Sequence, residues 1–232
     1  MATLAAGTLI YAVTARQRNP EAPWLCLGTL LVSFYEPVGD LHAQVTYHEI
    51  GQISFWAAYG FRIPLWVPFS YVGFFGLSVI LLLGQLDRKA MQVRGWAALF
   101  GGAWLGSFLF EAPMIAVGFV RYYADPEPLA ILGYPIWMGC VNAATIFVVA
   151  TSVWFLKRSP LLALNPAIFA VLLPMLFIGA HGAASLPVGS LQNGSWSANA
   201  VQIGALLSIA LSLFFVWVCA KMHSAALPGK RP

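Results

Sequence analysis

Residues 66–86 read WVPFSYVGFFGLSVILLLGQL, 21 positions without one Asp, Glu, Lys or Arg. As a helix this stretch is about 31 Å long, which matches the thickness of a bilayer's hydrocarbon core. Outward from it the pattern recurs. Residues 95–120 carry Glu111 as their only acid or base, and residues 128–156 carry none. The tract from Ser159 to Ala220 is again uncharged, and Pro187, Gly189, Asn193 and Gly194 divide it into expected spans at 161–184 and 196–220. Trp24–Gly39 supplies a further span with Glu36 near its end. Met1–Ala15 is apolar but reaches only about 22 Å as a helix. It has no basic start of the kind a signal peptide shows, since Arg16 and Arg18 follow it. Sixty per cent hydrophobic and 9% charged residues exclude an ordinary soluble domain. The expectation is an all-α polytopic membrane helix bundle of about seven transmembrane helices. It forms a single integral membrane domain over residues 1–232, with no internal repeat.

The loops set the expected orientation. Arg16, Arg18, Arg88, Lys89, Arg94, Lys157, Arg158, Lys221, Lys230 and Arg231 fall in alternate loops, leaving only Arg62 and Arg121 in the others. Ten of twelve basic residues on one side is the positive-inside pattern, and it puts the C-terminus in the cytoplasm. The net charge of +4 then describes a rim facing anionic lipid and implies no nucleic-acid partner. The location that follows is an integral, multi-pass one, in the cell membrane of a bacterium or the endoplasmic reticulum of a eukaryote. Cys26, Cys140 and Cys219 all lie within spans, a packing pattern without metal or redox spacing.

Against this apolar background the polar residues are informative, because a charge at the bilayer centre costs about 2.5–3.5 kcal/mol on insertion scales. With the expected orientation, Glu36, Glu111, His181 and Gln202 share the outer layer of the membrane, with Asp40 and His42 just beyond and Asn142 deeper. Pro37, Pro113, Pro135, Gly118, Gly139, Gly179 and Gly182 cluster at the same depth. That suits kinked helices around a cavity as well as close helix packing. The segment 40–65 is too long for a plain connector. Its Tyr47, His48, Phe55, Trp56 and Tyr59 fit a short interfacial helix or a re-entrant lid over the outer mouth.

Glu111 is the leading candidate for a general acid, since burial makes a carboxyl a usable proton donor near neutral pH. Glu36, Asp40 and His181 complete the candidate catalytic set. Asn142, Gln202, His42, Trp56, Tyr122 and Trp137 are candidate substrate contacts, although residues such as Asn142 and Gln202 more often serve helix–helix hydrogen bonds than substrate. His42 and His48 are six apart and do not share a helix face, so no metal is expected, and no cofactor motif is present.

Two resemblances bear on the reaction. Tyr35-Glu36-Pro37-Val38-Gly39-Asp40, followed by Tyr47-His48, Ser54-Phe55-Trp56-Ala57 and Trp66-Val67-Pro68, resembles the spirocyclase family typified by the avermectin pathway's spiroketal enzyme. Phe110-Glu111-Ala112-Pro113, with Gly118 and Tyr122-Tyr123, is similar to that family's second acidic span. Glu36 stands where the family has an aspartate, and Asp40 where it has an asparagine. In general plan, and in the acid on the second span, the chain also resembles the small seven-span terpene cyclases of meroterpenoid pathways, though span seven here has no carboxylate. Both resemblances imply a cofactor-independent cyclase or isomerase acting by acid–base catalysis on a lipophilic polyketide or terpenoid intermediate. The alternative reading of the same acids is a proton-coupled small-molecule carrier or a lipid-binding accessory membrane protein. Membrane lipid is the expected surrounding in either case.

Overall fold

Five helices are long and apolar enough to cross a membrane in the computed structural model, which describes residues 2–17, 19–88, 91–125, 127–160 and 165–227. Arg18, Lys89, Lys230 and Arg231 lie outside the described residues. The first long helix is α4 (Trp66–Ser70), a π-helical stretch (Tyr71–Gly76) and α5 (Leu77–Arg88) in one run. The others are α6 (Val93–Ala116), α7 (Ile136–Leu156), α8 (Ile168–Gln192) and α9 (Ala198–Ala225). Ahead of them lie α1 (Ala2–Thr14) and α2 (Ala22–Val32), the second running through one 3-10 turn (Ser33–Tyr35) into α3 (Glu36–Ala43). Buried small residues of α1, Ala5, Thr8 and Ala12, recur at helical spacing, and Leu4 and Ala5 lie against Gly73. α7 is buried almost all round and forms the centre, whereas α6 lies at the periphery with only Trp96, Ser107 and Ala112 buried.

Three expectations about the elements are corrected. The uncharged tract is divided at Asn193 and Gly194, as expected, but not at Pro187 and Gly189. α8 continues to Gln192 packed closely on α9: beside the proline, Ser208 Oγ accepts the Val188 N–H at 3.3 Å, and Gly204 lets the two backbones approach. The uncharged run from residue 128 is not helical throughout. Strands β5 (Ala130–Ile131) and β6 (Tyr134–Pro135) form a hairpin first, so Pro135 precedes α7 and kinks nothing. Of the two forms expected for segment 40–65, the short interfacial helix is not found. After α3 the segment forms β1 (Val45–Tyr47) and then a hairpin of β2 (Ser54–Ala58) and β3 (Phe61–Pro64).

The expectation of no internal repeat is also overturned. Helix, strand, hairpin and helix follow one another in α2–α3, β1, β2–β3, α4–α5, and again in α6, β4 (Val120–Tyr122), β5–β6, α7. Each first helix leaves through a residue in the left-handed region, Gln44 (φ 52°) or Gly118 (φ 77°). Each hairpin turns on a pair of such residues, Tyr59-Gly60 or Leu132-Gly133. The two units then meet. β1 pairs antiparallel with β4, Val45 opposite Tyr122 and Tyr47 opposite Val120, the interchange expected of a local two-fold axis. At the opposite end of the bundle, Lys157 bridges Glu21 at 3.0 Å and also Asp87, and Arg158 reaches Asp87 at 2.9 Å and stacks on Trp154.

Candidate active site

The paired strands close over a cavity of about 100 Å³ whose wall includes Glu36, Asp40, Glu111, Asn142, His181 and Tyr122. All four candidate catalytic residues therefore face one space, drawn from α3, α6 and α8. The acids arrive by the same local route twice. Glu36 and Glu111 each sit toward the C-terminal end of a first helix. Eleven residues later a tyrosine on the following strand folds back and donates to that acid. Tyr47 donates to Glu36 Oε1, and Tyr122 donates to Glu111 Oε2 at 2.6 Å. The second helix of each unit supplies another donor at the seventh position after the hairpin proline. Tyr71, at the start of the π-helical stretch, donates to Glu36 Oε2, and Asn142 Nδ2 lies 3.5 Å from Glu111 Oε1.

The two halves are not equal. Both oxygens of Glu36 are held by phenols, whereas Glu111 Oε1 has only long contacts, to Ser107 Oγ at 3.4 Å and to Asn142 at 3.5 Å. Hydrogen bonds weaken at such distances, so Glu111 is the glutamate with capacity to spare. Ser107 and Asn142 are instead committed to each other at 3.0 Å and, through Ser107, to Tyr134 at 2.8 Å. Asp40 is 2% exposed; its Oδ1 meets Tyr47 at 3.4 Å and its Oδ2 has no partner. His181 stacks flat on Phe177, and its Nδ1 has no partner.

No Lys or Arg is among the residues that line the cavity. Full ionisation of Glu36, Asp40 and Glu111 together would set three like charges in a low-dielectric space, each costing several kcal/mol. The arrangement favours carboxyl groups that hold protons between them rather than ionise together. No cluster of three or more His, Cys, Asp or Glu among the described residues has metal-binding geometry. Outside the spans, burial raises the Tyr122 phenol well above the ordinary tyrosine range, reinforced by the neighbouring Glu111, so this donor keeps its proton.

Four candidate contacts lie elsewhere. His42 packs on Gly189 of α8, where a Cβ would fall inside its ring, and Nε2 is 3.2 Å from the Ser185 carbonyl oxygen. Trp137 is fully buried, and its indole N–H lies 3.4 Å from Glu127 Oε1. Trp56 packs edge-on against Phe34 at 4.8 Å, and Gln202 on α9 does not reach the cavity wall. Tyr47, Tyr71, Ser107 and Tyr134 complete the site and were not among the expected site residues. The sequence does hold a signal for the first: Glu-x8-Val-x-Tyr occurs at 36–47 and again at 111–122. Pro-(Leu/Ile)-Trp likewise occurs at 64–66 and 135–137.

The chain matches no protein-family model, no curated protein and no solved structure.

Proposed function

We propose that this protein is a membrane-embedded, cofactor-independent cyclase or isomerase acting on a lipophilic substrate by acid–base catalysis. In this reading α1 and α2–α3 cross the membrane with the five long helices, giving seven spans with the C-terminus in the cytoplasm of a cell-membrane protein. The basic residues at the end of the bundle opposite the strands support that orientation. The observation that carries the reaction is the convergence of Glu36, Asp40 and Glu111 on one cavity with no cation in its wall. Glu111, with its loosely held Oε1, gives a proton to a carbonyl, hydroxyl, epoxide or alkene. Ring closure or double-bond shift then releases a proton, and a neighbouring carboxylate takes it up. Atoms and charge balance without any oxidant. Tyr71, Phe74, Phe75, Phe110 and Phe177 wall the cavity and exclude water, and their faces stabilise developing positive charge. The likeness of residues 35–40 and 110–113 to spirocyclases points to the same class of reaction.

The test is product formation by membranes containing the full chain, incubated with hydroxy-ketone, epoxide and polyene lipids and analysed by mass spectrometry. Products of equal mass, or lighter by one water, are expected. Glu111→Gln keeps size and acceptor capacity but removes the transferable proton, so turnover should fall by about 10²–10⁴-fold. Undiminished product from a folded Glu111→Gln variant would remove the acid from the mechanism. Proton flux without product would replace the enzyme by the carrier.

A further inference from the structure

We infer that the cavity and the adjoining groove between α5 and α6 hold one ligand, a lipophilic alcohol with its hydroxyl at Asp40 and His181 and its hydrocarbon tail in the groove. This rests on the proposed action on a lipophilic substrate and names its class.

The head assignment comes from hydrogen-bonding capacity left over. Around the cavity Glu36, Glu111, Tyr47, Tyr71, Tyr122 and Asn142 bond one another or Ser107. Two lining groups keep a buried polar atom with no partner, Asp40 Oδ2 and His181 Nδ1. Leaving such an atom unsatisfied costs about 1–3 kcal/mol, so each such atom calls for an explanation. A hydroxyl is donor and acceptor at once and serves a carboxyl oxygen and an imidazole nitrogen together. The duplication singles out the same pair. The position four residues after Glu36 is Asp40, whereas four after Glu111 is Ile115. His181 lies on α8, outside both repeated units. The polar groups that break the symmetry are thus the ones left free.

The tail assignment comes from volume. About 100 Å³ holds a hydroxyl and little more, against roughly 300–1,000 Å³ for ligand sites in general. Next to it, a groove of about 490 Å³ runs between α5 and α6, lined by Leu77, Leu82, Gly102, Ala103 and Phe147. Phe74 belongs to both walls and stacks on Phe110 at 6.3 Å. Phe74 thus borders both head site and tail site.

The experiment is thermal unfolding of the detergent-solubilised full chain with 1-dodecanol or dodecane at equal mole fraction in the micelle. Binding to the folded state raises Tm by mass action. Dodecanol should raise Tm clearly more than dodecane. Asp40→Leu and His181→Phe remove an unpartnered atom while filling its space, so each should fold with undiminished Tm yet bind dodecanol at least tenfold more weakly. Gly102→Leu should fold, because a Cβ there meets nothing within 4 Å, and should lose the dodecanol response by filling the groove. Equal shifts with dodecanol and dodecane, or a full dodecanol shift in Asp40→Leu and His181→Phe, would overturn the head site. A full shift in Gly102→Leu would overturn the tail site. Dodecanol binding by a protein that forms no product would leave the ligand site standing and remove the cyclase.

Discussion

Glu127 is the described acid outside the spans whose carboxyl is most altered by its surroundings. Burial pushes it up to about 7 from an ordinary 4.5, against the smaller opposing effect of hydrogen bonds from Trp137 and Gln192. The folded protein therefore holds this proton more tightly than the unfolded chain does. The resulting stability is complete below pH 4.5 and is lost as the pH climbs to about 7. Glu127→Gln keeps an acceptor for the Trp137 indole and cannot ionise. Above pH 7 it should be more stable than the parent by on the order of 2–3 kcal/mol, with little difference at pH 4. Denaturation of both proteins in detergent at the two pH values measures this, and a constant difference would refute it. Glu127 carries no contrast in the sequence because it sits in a loop, where an acid is ordinary. Glu36 and Glu111 stood out for the converse reason: a charge inside an apolar run needs an explanation. The tyrosines that hold them carried no such contrast, since aromatic residues are common at membrane interfaces.

Helix packing turns on a few glycines, and the structure separates those that matter from those that do not. Gly28 on α2 faces α8, where a Cβ would lie 2.8 Å from Leu173 Cβ and 3.2 and 3.3 Å from the carbonyl oxygens of Phe169 and Ala170. Pro174 leaves the Ala170 carbonyl without its usual helical donor, and backbone cannot step aside as a side-chain tip can. Gly28→Ala should cost about 1–3 kcal/mol by overpacking. Gly101→Ala on α6 meets nothing within 4 Å and should be neutral or gain up to about 1 kcal/mol from helix propensity. Comparison of the two melting temperatures checks this, and equal effects would contradict the packing. Apolar runs made the long helices legible, but not their ends. The strands escaped because their pairing is between distant segments: β1 meets β4 across residues 45–122, beyond the reach of any local pattern. Pro187 does not end its helix for a related reason, since α8 is held there by packing on another helix, which no local pattern reports.

At the scale of the whole molecule the orientation is open to direct test. The three native cysteines are buried, so a cysteine added after Pro232 would be the reactive one. An impermeant maleimide should leave it unlabelled in intact cells and label it after lysis; labelling from outside would reverse the topology. The bundle's helical class was readable from composition, and the recurrence of its element order has a counterpart in the sequence, in the two Glu-x8-Val-x-Tyr segments 75 positions apart. Its meaning needed the strand pairing to become visible. One consequence of that doubling concerns insertion. A unit of two crossings ends on the side where it began, so a tandem copy enters the membrane the same way up as the first, whereas copying a unit of three would invert it. On the proposed topology each unit crosses twice, and Glu36 and Glu111 come to the same depth by parity alone. Within that shared layer Asp40 stands on one side only, with Ile115 in the equivalent place on the other, and this difference gives the paired arms a direction.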